Sequence, residues 1–426
     1  MTLLDMILDR KNLGNAILKV SKNGGASGVD KRTMDMSITY FWENIETITS
    51  AIRNRKYKPY PVKRVYIPKD NGTKRALGIP TIIDRIIQQA ILQVLQPIFD
   101  NKFSENSFGF RPNRSCEMAV TKLLEYFNDG YYWVVDIDLE KFFDNVNHDK
   151  LISLVSKTIK DGDVVSLIRK FMQSGVLEDG ELKPTKVGTP QGGNLSPLLS
   201  NIMLNELDKE LESRELNFVR YADDCIIVVK SEKAANRVME SITKFIEKKL
   251  GLKVNAEKSK IAKPNQIKYL GFGFYYKNQK WRPKPHIKSV QKLVRKVKSL
   301  TKRNQSISMK DRIKLLNPVI RGWINYFRIA DMKMVISRIA QHLRRRLREI
   351  IWKQWKNGET RYKALIKLGI SPINARENAW SSKKYWRLSN NPTINTAISN
   401  KRLEQKGLIS IELYYEEKHK LYLPIN

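Results

Sequence analysis

Apolar positions along this chain follow two periods. In 287–300, Ile287, Val290, Leu293, Val297 and Leu300 recur every three to four residues and predict a helix with one buried face. Lys288, Lys292, Arg295, Lys296 and Lys298 fill much of the remaining surface. DRIIQQAILQVLQPIF (84–99) has the same period. So does the N-terminal MTLLDMILDRKNLGNAILKV, read as one amphipathic helix whose scattered charges exclude a signal peptide. Another helix is predicted to open at SMKD, with Ser308 as N-cap and Asp311 at the capping-box position. Pro318 is expected to kink or interrupt it. A third basic helix runs through RIAQHLRRRLREIIWKQW.

Elsewhere the period shortens. VKRVYIPK (62–69) and RALGIP (75–80) flank the turn signal DNGT and predict a hairpin. YYWVVDIDL (131–139) reads as a strand with Asp136 and Asp138 near its end. VRYADDCIIVV (219–229) reads as two strands with Asp223 and Asp224 at a hairpin tip. Segment 244–261 predicts a helix, a glycine break and a strand, and SKNGGASGVD (21–30) a flexible loop.

At 426 residues the chain exceeds one ordinary core, so two or three packed units are expected. Charge adds a partner. Lys and Arg number 78 against 43 acids, a net +35, which favours an extended polyanion, nucleic acid, over an anionic membrane surface. No apolar run reaches the ~18 residues of a bilayer span. Segment 277–363 holds 26 Lys/Arg and 4 Asp/Glu, so 26 − 4 = +22 of the total lies there. Three successive helices with so few acids favour a nucleic-acid surface over solvated faces. Cys116 and Cys225 are too few and too far apart for a cysteine zinc site or a disulfide framework, which fits a reducing cytosol. With four histidines, carboxylate–metal chemistry is better supplied than histidine-base chemistry.

Adjacent carboxylates between apolar strands repel each other and are costly to bury. A tight turn alone also favours Asp. If the two acid-bearing strands lie side by side, the shared site calls for a hard divalent cation, Mg²⁺. Two such ions can activate a 3′-hydroxyl and stabilise a leaving pyrophosphate.

YADD, DLEKFFD and GTPQGGNLSPLLSNIMLNELD, taken in order, resemble the palm of a reverse transcriptase. With RVYIPKDNGTKRALGIPTIIDRIIQQA, FSENSFGFRPNRS, LGLKVNAEKSKI, YLGFGF and RGWINYFR (321–328), the chain resembles a bacterial group II intron-encoded reverse transcriptase/maturase, most closely the compact class C kind. The resemblance implies an α+β right-hand polymerase: fingers, a palm with an antiparallel sheet, and a helical thumb. Asp138, Asp223 and Asp224 match the metal-binding triad, and the backbone carbonyl of Leu139 would also reach a metal. Asp138 is preferred over Asp136 by the spacing to FFD. Phe143 matches the aromatic gate that excludes a 2′-hydroxyl; Phe142 is expected in the core. Lys69 and Arg75 match triphosphate-binding cations, and Gln191 the residue packing on the incoming nucleotide. Gly192 and Gly193 permit close backbone approach. Ser196 and Pro197 are expected as N-cap and first helical residue. Asn194 stands where many relatives carry proline. Lys260 is read as reaching phosphate or capping a strand. Arg111 and Arg114 grip the template or solvate a loop. Lys288, Lys292 and Arg295 are expected to hold template and primer. The glycine loop at 21–30 matches a lid over the template.

The expected organisation is fingers and palm with an N-terminal extension at 1–275, the thumb or maturase domain X at 276–363, and a small basic extension, a candidate DNA-binding domain, at 364–426. The implied function is RNA-directed DNA synthesis from dNTPs with two Mg²⁺, joined to binding of the group II intron RNA in splicing and mobility. The alternative is an RNA-binding splicing cofactor without physiological polymerase activity. Implied partners are intron RNA, an RNA template with a DNA primer, and target DNA, with no membrane, for a monomer or weak dimer in the cytoplasm or at the nucleoid. No endonuclease is expected.

Overall fold

The computed structural model describes residues 1–68, 72–185, 187–188 and 192–421. They fold as two compact units, Met1–Lys263 and Pro264–Asn426.

The first unit opens with two helices, α1 (Leu3–Leu8) and α2 (Arg10–Asn23), where one was expected. Asp9 divides them: its carboxylate accepts from the amides of Lys11 and Asn12 and so caps a new helix start. The hairpin forms as predicted, with β1 (Val62–Pro68) antiparallel to β2 (Lys74–Ile79). The predicted helix follows as α3 (Ile82–Asp100). Strand β3 (Trp133–Ile137) carries Asp136 inside and Asp138 just past its end. Strands β4 (Val176–Glu178) and β5 (Glu181–Lys183) complete a four-stranded sheet in the order β2-β1-β4-β5.

Helix α4 (Ser196–Ser213) begins one residue earlier than expected. Leu195 is its N-cap, Ser196 the first helical residue and Pro197 the second. Gln88 anchors this end by accepting from the Leu195 amide at 3.4 Å. Strands β6 (Asn217–Tyr221), β7 (Asp224–Val229) and β8 (Lys260–Ala262) join β3 in an antiparallel sheet ordered β6-β7-β3-β8. The helix and glycine break before β8 are as predicted: Ile246–Leu250 ends at Gly251 with φ +68°.

Alternation sorts this sheet. Val135, Ile137, Phe218, Cys225, Ile227 and Val229 enter the main core. The other face buries Val134, Ile226 and Val228 and continues toward Asp136 and Asp138.

The second unit begins with the hairpin β9 (Phe272–Lys277) and β10 (Lys280–Pro285). Three basic helices follow: α5 (Ile287–Leu300), α6 (Met309–Tyr326) and α7 (Lys333–Gln354). On the apolar face of α5, Leu293 and Val297 are buried, while Ile287 stays 62% exposed. Ser308 caps α6 by accepting from the Asp311 amide at 3.1 Å. Pro318 does not interrupt α6, which runs through it to Tyr326. Beyond α7 the described residues form six short helices, from Gly358–Lys367 to Ile411–Lys420. Among the described residues, no helix is long and apolar enough to cross a membrane.

Candidate active site in the palm sheet

β6 and β7 are joined by two residues, Ala222 and Asp223, and Asp224 opens β7. The ladder pairs Asp136 with Ile226 and Ile137 with Cys225, so the next position sets Asp138 across from Asp224. By alternation these two acids share the face of Asp136, with Asp223 in the turn beside them. The expectation that two strands would bring the acids to one sheet end holds, with Asp224 on the strand and only Asp223 in the loop.

The turn is strained and fastened. Ala222 has φ +58°, a left-handed conformation that costs a residue with a Cβ about 1–2 kcal/mol. Arg220, buried in β6, donates to the Ala222 carbonyl at 2.9 Å. It also bonds Asp208 and Asn201 of α4. Loop 104–111 braces the other side. Phe108 donates to the Arg220 carbonyl and Arg220 to that of Asn106, both at 2.9 Å. A Cβ on Gly109 would lie 2.2 Å from the Ala222 nitrogen, so only glycine permits this approach.

Arg111 belongs to that brace. Its guanidinium bonds Asp100 at 2.8 Å and the carbonyls of Ser104, Ser107 and Asp100. With its side chain 3% exposed, it is neither a template grip nor a solvated loop residue. Its expected role is corrected to pinning the loop under the turn. Arg114 is ion-paired with Glu105.

Around the acids, Lys258 reaches Asp138 at 3.3 Å. Ser259 donates to the Asp138 carbonyl at 3.4 Å and accepts from its amide at 3.0 Å. Sequence reading weighed Lys260 and passed over Lys258. The only signal was two lysines one residue apart near a strand start. Lys260 pairs in register with Asp136. Burial raises the Asp136 pKa to about 6, Lys260 opposes that rise, and Asp138 adds to it.

The donors are carboxylate oxygens, the kind a hard divalent cation takes. Among the described residues, no three His, Cys, Asp or Glu side chains gather into a preformed metal-holding cluster. The acids thus fit a divalent cation in kind, with Lys258 beside one of them in this structure. The Leu139 side chain is buried, and its backbone bridges Val254.

Phe142 is core, as expected; Phe143 is half-buried, edge-on to it, and lines a cavity with Arg64, Tyr66 and Lys183. Arg75 is exposed on β2. Gly192, with φ +122°, passes so close to the Gly78 carbonyl that a Cβ would lie 2.3 Å from it. A Cβ on Gly193 would lie 2.7 Å from the Gln88 side chain. Asn194 donates to Gln89 at 3.0 Å. Lys69 and Gln191 lie outside the described residues. Lys288, Lys292 and Arg295 are exposed on α5. In the glycine loop, Arg85 of α3 donates to the carbonyls of Gly24 at 3.3 Å and Ala26 at 2.6 Å.

A helix-backed antiparallel sheet with acids at adjoining strand ends defines a nucleotidyl-transfer palm of the right-hand polymerase class. Residues 67–274 match the reverse transcriptase (RNA-dependent DNA polymerase) family, and residues 290–369 the group II intron maturase-specific domain. Protein YkfC of Escherichia coli K12 is 34% identical over 283 residues, covering 58% of this chain and 74% of YkfC. The group II intron-encoded protein LtrA of Lactococcus lactis is 34% identical over 296 residues, 54% of this chain and 49% of LtrA. The putative COX1/OXI3 intron 2 protein of Saccharomyces cerevisiae is 29% identical over 329 residues, 63% of this chain and 38% of that protein. The chain thus spans half or less of these two intron proteins. It belongs to the group II intron-encoded reverse transcriptase/maturase family, whose polymerase is RNA-directed and makes DNA.

Proposed function

We propose that the first unit copies intron RNA into DNA at Asp138, Asp223 and Asp224, and that the second binds its group II intron RNA to assist splicing and mobility. The observation that carries the polymerase reading is the register placing Asp138 across from Asp224 beside the Asp223 turn. These three carboxylates, with the Leu139 carbonyl, would hold two Mg²⁺ ions. Bound there, the ions supply Lewis-acid activation of the primer 3′-hydroxyl and neutralise charge on the leaving pyrophosphate.

The chain's own groups do the positioning. Lys69, Arg75 and Lys260 supply cations for the dNTP triphosphate. Gln191 and Gly192 pack on the nucleotide. The Phe143 ring leaves no room for a 2′-hydroxyl. Lys258 balances the Asp138 charge when no metal does. Arg114, Lys288, Lys292 and Arg295 meet the phosphates of template and primer, and residues 364–426 meet target DNA. The charge of segment 277–363 supports intron RNA binding beyond what a primer–template needs.

Primer extension on a long RNA template, with dNTPs and Mg²⁺, tests the reading. The parent is expected to make full-length cDNA, and Asp223→Ala/Asp224→Ala none, with RNA binding retained. A folded, RNA-binding parent that makes no product would sink the polymerase reading and leave an RNA-binding splicing cofactor.

A further inference from the structure

Helices α5 and α7 leave a cavity of about 570 Å³ between them, closed at one end by β10. Its floor is apolar, with Val290 and Val294 from α5 and Val335 from α7. Its rim is cationic: Lys284, Lys298 and Arg338 line it and are exposed. Among the described residues none that lines it is acidic, and α5 itself carries five cations and no acid.

His342 lines the same cavity. Its ring borders the groove, while its Nε2 is buried away from open space and has no hydrogen-bond partner among the described residues. Burial, then the charges of Arg346, Lys298 and Arg345, hold the His342 pKa below its ordinary value. The ring is thus neutral near pH 7, with one donor and one acceptor nitrogen.

The occupant must offer an apolar face and negative charge at the rim. A lipid chain or an apolar peptide satisfies only the first. A base inside a duplex has its faces stacked and its edge paired. An unstacked base has both free, with a phosphate on either side. The volume falls within the range of small-ligand sites. We propose that this groove takes one unpaired nucleobase of a bound RNA, with the base over the valines beside the His342 ring, and its flanking phosphates on Lys284, Lys298 and Arg338. The proposal rests on the reading of this unit as RNA-binding and adds what it binds there.

The test uses the full chain and two RNA hairpins that differ only by a single bulged 2-aminopurine. The parent is expected to bind the bulged hairpin about 10-fold more tightly, with a change in 2-aminopurine fluorescence. Val294→Phe and Val335→Phe, filling the groove from either helix, are each expected to abolish that preference while affinity for the paired hairpin stays within about 2-fold. Equal affinity of the parent for both hairpins, as a groove made for a protein segment would give, overturns the inference and leaves the RNA-binding reading intact. So does a preference that survives both filling variants. Binding to neither hairpin overturns that reading, and the inference with it.

Discussion

Arg220 holds Asp208 through two parallel bonds, Nε to Oδ1 at 2.6 Å and a terminal nitrogen to Oδ2 at 2.5 Å, and neither side chain has exposed surface. Its other terminal nitrogen reaches Asn201 at 3.0 Å and the Ala222 carbonyl at 2.9 Å. One guanidinium therefore ties α4 to the turn that carries Asp223. Asp208→Ala leaves that cation buried and unpaired, at a cost of roughly 3–5 kcal/mol. Urea denaturation should show it, and the double change Asp208→Leu/Arg220→Met should recover much of the loss. A cost below about 1 kcal/mol would remove the pair from any account of how the turn is held.

Gly109 makes a second, independent prediction. In Gly109→Ala the new methyl meets the Ala222 nitrogen at 2.2 Å and the Tyr221 carbonyl carbon at 2.8 Å, backbone atoms that cannot step aside alone. Primer extension is expected to fall about 10-fold or more, because an ångström-scale shift of a reacting group costs that much. RNA binding should be retained. Gly14→Ala serves as the control: nothing lies within 4 Å, and alanine in a helix interior adds roughly 0.5–1 kcal/mol of stability.

Asp84 sets a pH dependence of stability. It is buried at the start of α3 and accepts from Tyr57 at 2.7 Å, Thr81 at 2.7 Å and the Tyr60 amide at 3.1 Å. Burial nevertheless wins and raises its pKa to about 6 from 3.8; the hydrogen bonds oppose that rise and Asp30 adds to it. A folded-state pKa above the unfolded value means stability present below about pH 4 and lost as pH rises through 6. The two-unit rise corresponds to roughly 3 kcal/mol. Comparing parent and Asp84→Asn between pH 4 and 7 should show the parent alone losing stability of that order from this group. Parallel pH profiles would contradict the assignment.

Phe143 is expected to discriminate sugars. Phe143→Ala should raise NTP relative to dNTP incorporation by roughly 10-fold or more, since a steric exclusion vanishes with the ring. Single-nucleotide extension measures the ratio. An unchanged ratio would leave Phe143 as a partner of Phe142, which it meets edge-on at 5.1 Å.

Local order determined much of this protein in advance. The period of 287–300, the DNGT turn signal and the apolar runs around YADD are properties of neighbouring residues, and the helix and hairpins they predict form. The acids were legible because carboxylates between apolar strands need a reason. Charge named the class of partner, because a polyanion needs only a count of cations. Tertiary structure decided what distant residues do to each other. Asp9 divides the first helix because its carboxylate turns to cap a new one. Pro318 is carried inside α6. Arg111 reads in sequence like any loop cation, and only the fold brings Asp100 and three carbonyls around it. Lys258 meets Asp138 across 120 residues of chain. Gly109 matters because of a turn more than a hundred positions away. A sequence pattern reports the period of its own segment; a close approach between segments depends on register and packing, which no single segment encodes.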